Sequence, residues 1–201
     1  MKILFRRFFY ILFVIRVIPH IILLFIHPSS VFLRKEKDVW IKTIKNENNY
    51  NLSNYLWILR LPEYRSVFYL RIGGLKKLIS WLAPGQNNLY FRESSRYGAG
   101  FVIQHGHSSR IAPDSIGKNC QIWQNVTIGV DKPHMPHARP IIGDNVRIFT
   151  GAIVVGNITI GNNVTIGAGS VVVKNVPPNC TVVGNPAYII RRNGNKVIES
   201  L

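Results

Sequence analysis

The chain has 201 residues, 47% of them apolar and 17% charged, enough apolar material for a packed core and too short a chain for a large multidomain assembly. Lys and Arg number 25 against 9 Asp and Glu, a net charge of +16 that implies anionic partners such as phosphates, nucleotides, nucleic acid or an anionic membrane without choosing among them. Two cysteines, Cys120 and Cys180, exclude a disulfide framework and a four-thiolate zinc site and suit a reducing compartment.

Residues 1–30 are expected to form one apolar, basic helix. Phe8 to Ile26 reads FFYILFVIRVIPHIILLFI, broken only by Arg16, Pro19 and His20. Three dispositions fit it. It spans a bilayer, with Arg16 costing roughly 2.5–3.5 kcal/mol at the centre; it lies in the interface with Arg6, Arg7 and Arg16 at phosphate level; or it packs into an oligomer interface. A signal peptide fits less well, because HPSS offers no small-x-small cleavage pattern.

Residues 31–90 are expected to be a helical cap or assembly region. Leu56, Leu59, Val67, Leu70, Leu75, Leu78, Ile79 and Leu82 recur mostly at spacings of three or four. Pro62 is expected to start one helix, Gly73-Gly74 to end it, and Pro84-Gly85 to end the next. The region holds no cluster of nucleophile, base and acid.

Residues 91–192 carry a different rhythm. Ile116, Ile122 and Ile128 lie six apart, and Ile142, Ile148, Val154, Ile160, Ile166 and Val172 resume the same spacing. Four residues after eight of these nine stands a small or β-branched residue: Cys120, Val126, Val146, Ala152, Ile158, Val164, Ser170 and Val176. Neither a helix period nor a strand period of two yields this double pattern. Hexapeptides forming the flat sides of a triangular prism do, about 18 residues to a coil, each coil stacked on the next at the ~4.8 Å strand spacing. The fold class is therefore mainly β, a parallel β-helix of hexapeptide repeats with a helical N-terminal region, and residues 193–201 are expected to form a tail. Between Ile128 and Ile142 the separation is 14, so about eight residues must leave the prism around GVDKPHMPHARP. Lys132, His134, His137 and Arg139 in that loop are candidates for holding an acceptor.

IGNNVTIGAGSVVVKNVPPNCTVVGNPAYIIRR resembles the closing coils of hexapeptide-repeat acyltransferases. GFVIQHG, IWQNVTIG and PHARPIIGDNV are similar to the serine acetyltransferase branch and to the related acetyltransferases of surface polysaccharides, and PEYRSVFYLRIG resembles the helical lead-in of the latter. The resemblance implies a left-handed winding, assembly as a homotrimer or a pair of trimers, and acetyl-CoA as co-substrate, with no metal. It implies His105 as the base that removes the proton of an acceptor hydroxyl. Gln104 and His107 stand beside it as further acceptor candidates; on one extended strand, His105 and His107 would share a face. The positions aligned with the cofactor groove are Thr150, Gly151, Thr165, Ala168 and Gly169, with Lys174, Arg191 and Arg192 for the phosphates.

Three departures stand out against the serine branch. Gln104 and Tyr90 occupy the places of two acidic residues that flank and orient its histidine, and Ala138-Arg139-Pro140 replaces the arginine-histidine-proline that meets the serine carboxylate. They favour a sugar of a surface polysaccharide, or of its lipid-linked precursor at the cytoplasmic face of a membrane, over serine as the acceptor. A backbone carbonyl, Tyr90 or Glu93 is left to orient His105. The alternatives are a serine O-acetyltransferase of cysteine biosynthesis, a catalytically silent trimeric scaffold, and a zinc-dependent carbonic anhydrase-like protein using His105, His107, His134 and His137. Nucleic acid is not expected as a partner, since no basic stretch interleaved with aromatics forms a recognised module.

Overall fold

The computed structural model describes residues 2–131 and 138–201, so Lys132, His134 and His137 lie outside the described residues. The chain forms two compact units, residues 1–86 and 87–201.

The first unit is helical. α1 (Lys2–Ile26) carries Pro19 inside it, and α2 (Ser30–Trp40) runs on into a π-helical turn, Ile41–Lys45. α3 (Leu52–Ile58) starts at Asn51, whose side chain accepts the Asn54 N–H at 2.9 Å. α4 (Pro62–Ile72) has Pro62 in its first turn, where a missing N–H costs nothing, and ends at Gly73 with φ +56. A short α5 (Lys76–Ile79) follows. The breaks at Pro62 and Gly73 fall where the sequence places them.

Val17 and Leu24 of α1, Leu33 and Trp40 of α2, Ile58, and Tyr64, Val67 and Phe68 of α4 make the core of this unit. Two polar contacts inside it join residues far apart in sequence. His20 meets the Tyr69 hydroxyl at 2.7 Å; Tyr69 gives its own proton to the Ala83 carbonyl at 2.5 Å, so the imidazole Nε2 carries the hydrogen in this contact. Glu36 is buried and accepts from Arg71 Nε at 3.0 Å, and the Arg71 guanidinium also lies 5.2 Å from the Phe32 ring. The attraction in that pair largely offsets the cost of desolvating both charges, and its directional contacts hold α2 and α4 in one register.

The second unit is a parallel solenoid of five coils around a three-sided core. The first coil is β1 (Leu89–Phe91), β2 (Arg96–Tyr97) and β3 (Val102–Ile103). The second is β4 (Ser109–Ile111), β5 (Ser115–Ile116) and β6 (Gln121–Ile122). The third is β7 (Thr127–Gly129), β8 (Ile141–Ile142) and β9 (Arg147–Ile148). The fourth is β10 (Ile153–Val155), β11 (Thr159–Ile160) and β12 (Thr165–Ile166). The fifth is β13 (Val171–Val172), a bridge at Val176 and β14 (Cys180–Val183). Every third strand pairs in parallel, giving faces β1-β4-β7-β10-β13, β2-β5-β8-β11 and β3-β6-β9-β12-β14. The third face is completed by antiparallel β15 (Tyr188–Arg192) and β16 (Asn195–Ser200). Residues from 193 onward, expected as a tail, thus contain a strand that closes the sheet.

The column of inward aliphatics is the one the period marks. Ile116, Ile142 and Ile160 stack on one face, and Ile122, Ile148 and Ile166 on another, all buried. The small residues four positions on, from Cys120 to Val176, are buried as well. The column starts one coil earlier than the aliphatics suggest: Phe91, Tyr97 and Ile103 hold its first positions at the same spacing of six. Thr127 pairs with Ile153, 26 residues on, whereas Ile153 pairs with Val171, 18 on. The excess of eight falls between Gly129 and Ile141, as the phase break requires.

Two features let coils stack this closely. Asn119, Asn145, Asn163 and Asn179 take left-handed backbone angles at one edge, and their amides form a ladder at 3.4, 3.1 and 2.9 Å. Beside them, a Cβ on Gly117 would stand 2.5 Å from the Gly143 carbonyl carbon, so the edge closes backbone on backbone.

Candidate active site

His105 stands at the edge between the third and first faces, where the chain passes from the first coil to the second. That corner is longer than its counterparts. Ile103 to Ile111 takes eight residues, whereas Ile122 to Ile128, Ile148 to Val154 and Ile166 to Val172 each take six. The two extra residues form a bulge holding Gln104, His105, Gly106 and His107. His105 is exposed, with φ +54. The His107 N–H donates to the His105 carbonyl at 2.6 Å, which turns the chain sharply across Gly106. A Cβ on Gly106 would collide with Ile103 Cγ2, so only glycine fits beneath the histidine. His105 and His107 are therefore on a turn and not on one extended strand, which corrects the shared-face expectation. Gln104 is held by Gln121 of the next coil, its Nε2 donating to Oε1 at 3.2 Å.

The same edge continues through the later coils. The Asn125 N–H donates to the His107 carbonyl at 3.1 Å, Gly151 to Gln124 at 3.0 Å and Gly169 to Thr150 at 2.9 Å. The histidine bulge, Gln124-Asn125, Thr150-Gly151 and Ala168-Gly169 thus form one stacked column. Ser108, Asn125, Gly151 and Gly169 all have positive φ here. The amides of Gly151 and Gly169 are already bonded within the column, so strand-like hydrogen bonding of a pantetheine arm to those two N–H groups is not available. Space is: a Cβ on Gly169 would meet nothing within 4 Å. The Trp123 and Phe149 rings stack at 4.2 Å on successive coils, one residue beyond β6 and β9, just before the edge turns.

The remaining expected cofactor residues do not gather on this edge. Thr165 lies on β12, within the third face. Lys174 follows β13 at the opposite end of the first face and donates to the Leu201 carbonyl at 2.5 Å. Arg191 and Arg192 lie on β15, and Arg192 is ion-paired to Glu199.

A cationic group lies on the first face. Arg110 on β4 pairs with Tyr90 on β1, its guanidinium 4.5 Å from the tyrosine ring. Arg139 Nη1 donates to the Ala112 carbonyl at 2.8 Å. Its pKa is drawn below the usual arginine value first by partial burial and then by Arg92 and Arg110. Three guanidinium groups therefore share one field on the first face, Arg110 within β4 and Arg92 and Arg139 at the end of that face away from the histidine corner. Sequence reasoning named Arg139 and missed Arg92, just after β1, and Arg110 on β4, because neither strand carries the aliphatic repeat that marks the later coils. Among the described residues no cluster of His, Cys, Asp and Glu has the arrangement of a metal site.

A three-sided parallel solenoid wound on a six-residue step is the architecture of the hexapeptide-repeat transferases. The family model "Bacterial transferase hexapeptide (six repeats)" matches residues 139–174. A serine acetyltransferase of Bacillus subtilis is 35% identical over 149 residues, 73% of this chain and 67% of that protein. One of Synechococcus elongatus is 39% identical over 132 residues, 65% of this chain and 54% of that protein. The Brucella abortus serine acetyltransferase in complex with coenzyme A superposes with a TM-score of 0.68 at 25% identity, covering 87% of this chain and 72% of that one. The chain belongs to the hexapeptide-repeat transferase family. It spans little more than half the length of some relatives it matches, 54% for the Synechococcus protein and 57% for that of Staphylococcus xylosus.

These relatives overturn one expectation. They are named serine acetyltransferases, so the sugar of a surface polysaccharide is not the acceptor that the comparison supports. The preference for a sugar rested on three substituted positions, Gln104, Tyr90 and Ala138, with the membrane-seeking N-terminus in support, whereas the alignment with these relatives runs through more than a hundred residues.

Proposed function

We propose that the chain is an acetyl-CoA-dependent O-acetyltransferase acting on L-serine, working as a homotrimer. The observation that carries this reading is the exposed His105 on its two-residue bulge, at the foot of the edge column that runs past Thr150-Gly151 to Ala168-Gly169. His105 accepts the proton of the serine hydroxyl as its oxygen attacks the thioester carbonyl. The tetrahedral oxyanion collapses, the carbon–sulfur bond breaks, and the CoA thiolate leaves to be protonated, with no acyl-enzyme. The pantetheine arm lies along the edge column, where the open surface at Gly169 receives it. Arg92, Arg110 and Arg139 supply the positive field that a serine carboxylate needs, in place of the arginine-histidine pair of the serine branch. As part of the same reading, residues 1–30 touch the cytoplasmic face of a membrane.

Release of free thiol from acetyl-CoA tests the reaction. The full chain is expected to turn over with L-serine and to show at most background release with monosaccharides. Background release with serine, or equal rates with both acceptors, overturns the reading.

A further inference from the structure

We infer that α1 is an in-plane anchor for an anionic lipid surface and does not cross the bilayer. The inference rests on the membrane contact proposed above and gives it a geometry. Placed at about 100° per residue, Leu4, Phe8, Ile11, Ile15, Ile18 and Ile22 fall within an arc of about 80° along the helix. All six are 44–74% exposed. Phe5 and Leu12, also exposed, widen this band on one side. Val17, His20 and Leu24 lie on the opposite side and are buried in the core of the helical unit, His20 through its bond to Tyr69.

A spanning helix would have to carry that buried side, and the polar groups bonded to it, into hydrocarbon. An interfacial helix leaves it in the protein and offers lipid only the exposed band. The charges agree with this placement. Arg7 and Arg16 fall at the two margins of the band, where long side chains reach phosphate, and residues 2–26 hold no acidic residue. Next to Arg7, a surface pocket is lined by Arg6, Tyr10, Ile11 and Arg60, the Arg60 guanidinium lying 5.0 Å from the Tyr10 ring. Its cations beside an aromatic ring suit a lipid phosphate.

A second copy of the chain is the competing occupant. A helix pairing seam is narrow and flanked by charges of both signs. This band is broad, is flanked by Phe5 and Leu12, and meets only positive charge.

Flotation of the full chain with vesicles tests the inference. Binding is expected on phosphatidylcholine vesicles containing phosphatidylserine and to be much weaker on phosphatidylcholine alone. Phe8→Gln with Ile15→Gln and Ile22→Gln, all at exposed positions, is expected to abolish it. Arg6→Gln with Arg7→Gln and Arg16→Gln should lower partitioning about 100-fold, at roughly 5-fold per cation. A fluorophore on Leu4→Cys is expected to be reduced by dithionite added outside the vesicles. A protected fluorophore means a spanning helix and overturns the inference. Equal binding to both vesicles, unchanged in the arginine variant, removes the phosphate contacts and overturns it too. Failure to float, with self-association abolished by the apolar variant, assigns the band to a second copy. Serine acetylation is read on the same preparations, so loss of membrane binding with turnover intact fails the anchor alone.

Discussion

His105→Ala should lower the rate of acetyl transfer by roughly 10²- to 10⁴-fold, the range that positioned general bases supply. The substitution removes an exposed ring from a corner, so packing should suffer little. The backbone is the complication, because His105 has φ +54 and alanine resists that conformation. Asparagine is the cleaner replacement, since Asn119, Asn125, Asn145 and Asn163 hold the same left-handed angles elsewhere in the solenoid. His105→Asn should therefore keep the melting temperature of the parent and lose as much activity as His105→Ala. Initial rates of thiol release beside thermal melts check both halves. Retention of more than a tenth of the rate in the asparagine variant, with an intact fold, takes the base away from His105.

The helical unit should lose stability as pH falls from about 6.5 towards 4. His20 is buried, and its pKa is lowered to about 4, first by burial and then by the nearby Arg65 cation. In the unfolded chain an imidazole takes up its proton near pH 6.5. Between these values the unfolded state binds the proton and the native state does not, so acid favours unfolding there. At ~1.4 kcal/mol for each pH unit separating the two states' titrations, the full difference is ~3 kcal/mol, complete near pH 4 and absent above pH 7. Urea midpoints followed by tryptophan fluorescence, compared at pH 7 and 4.5, read the loss. Carboxylates titrate in part of this window, so the comparison is with His20→Gln, whose smaller side chain lowers stability at every pH while removing this proton-linked slope. Equal slopes in both proteins would mean that His20 is not the responsible group.

The solenoid was legible because each inward aliphatic sits on its counterpart one coil away, and that contact repeats at every sixth residue from Ile116 to Ile128 and again from Ile142 to Val172. The first coil was not, for two physical reasons. Two of its three inward positions are aromatic, with the Phe91 and Tyr97 rings 6.0 Å apart, and aromatics do not announce an aliphatic repeat. The bulge at His105 then stretches Ile103 to Ile111 to eight residues, and Ile111 to Ile116 takes only five. The break in the local rule is the candidate site itself, where such departures concentrate. The edge column beyond it was partly visible, since Gly151 and Gly169 were named, but their partner Gln124 was not. In the helical unit Pro62 and Gly73 marked the breaks, whereas the His20–Tyr69 and Glu36–Arg71 contacts, 49 and 35 residues apart, leave no trace in spacing. The acceptor was misjudged because single substituted positions near a histidine say what contacts are absent and not what replaces them; Arg92 and Arg110 became visible only once β1 and β4 were paired.

The most direct test is a crystal structure of the full chain with coenzyme A bound. The pantetheine arm should follow the edge past Ala168-Gly169 and Thr150-Gly151, with the sulfur coming to rest beside the His105 imidazole. Coenzyme A seated on another edge, or with its sulfur out of reach of that ring, would contradict the account.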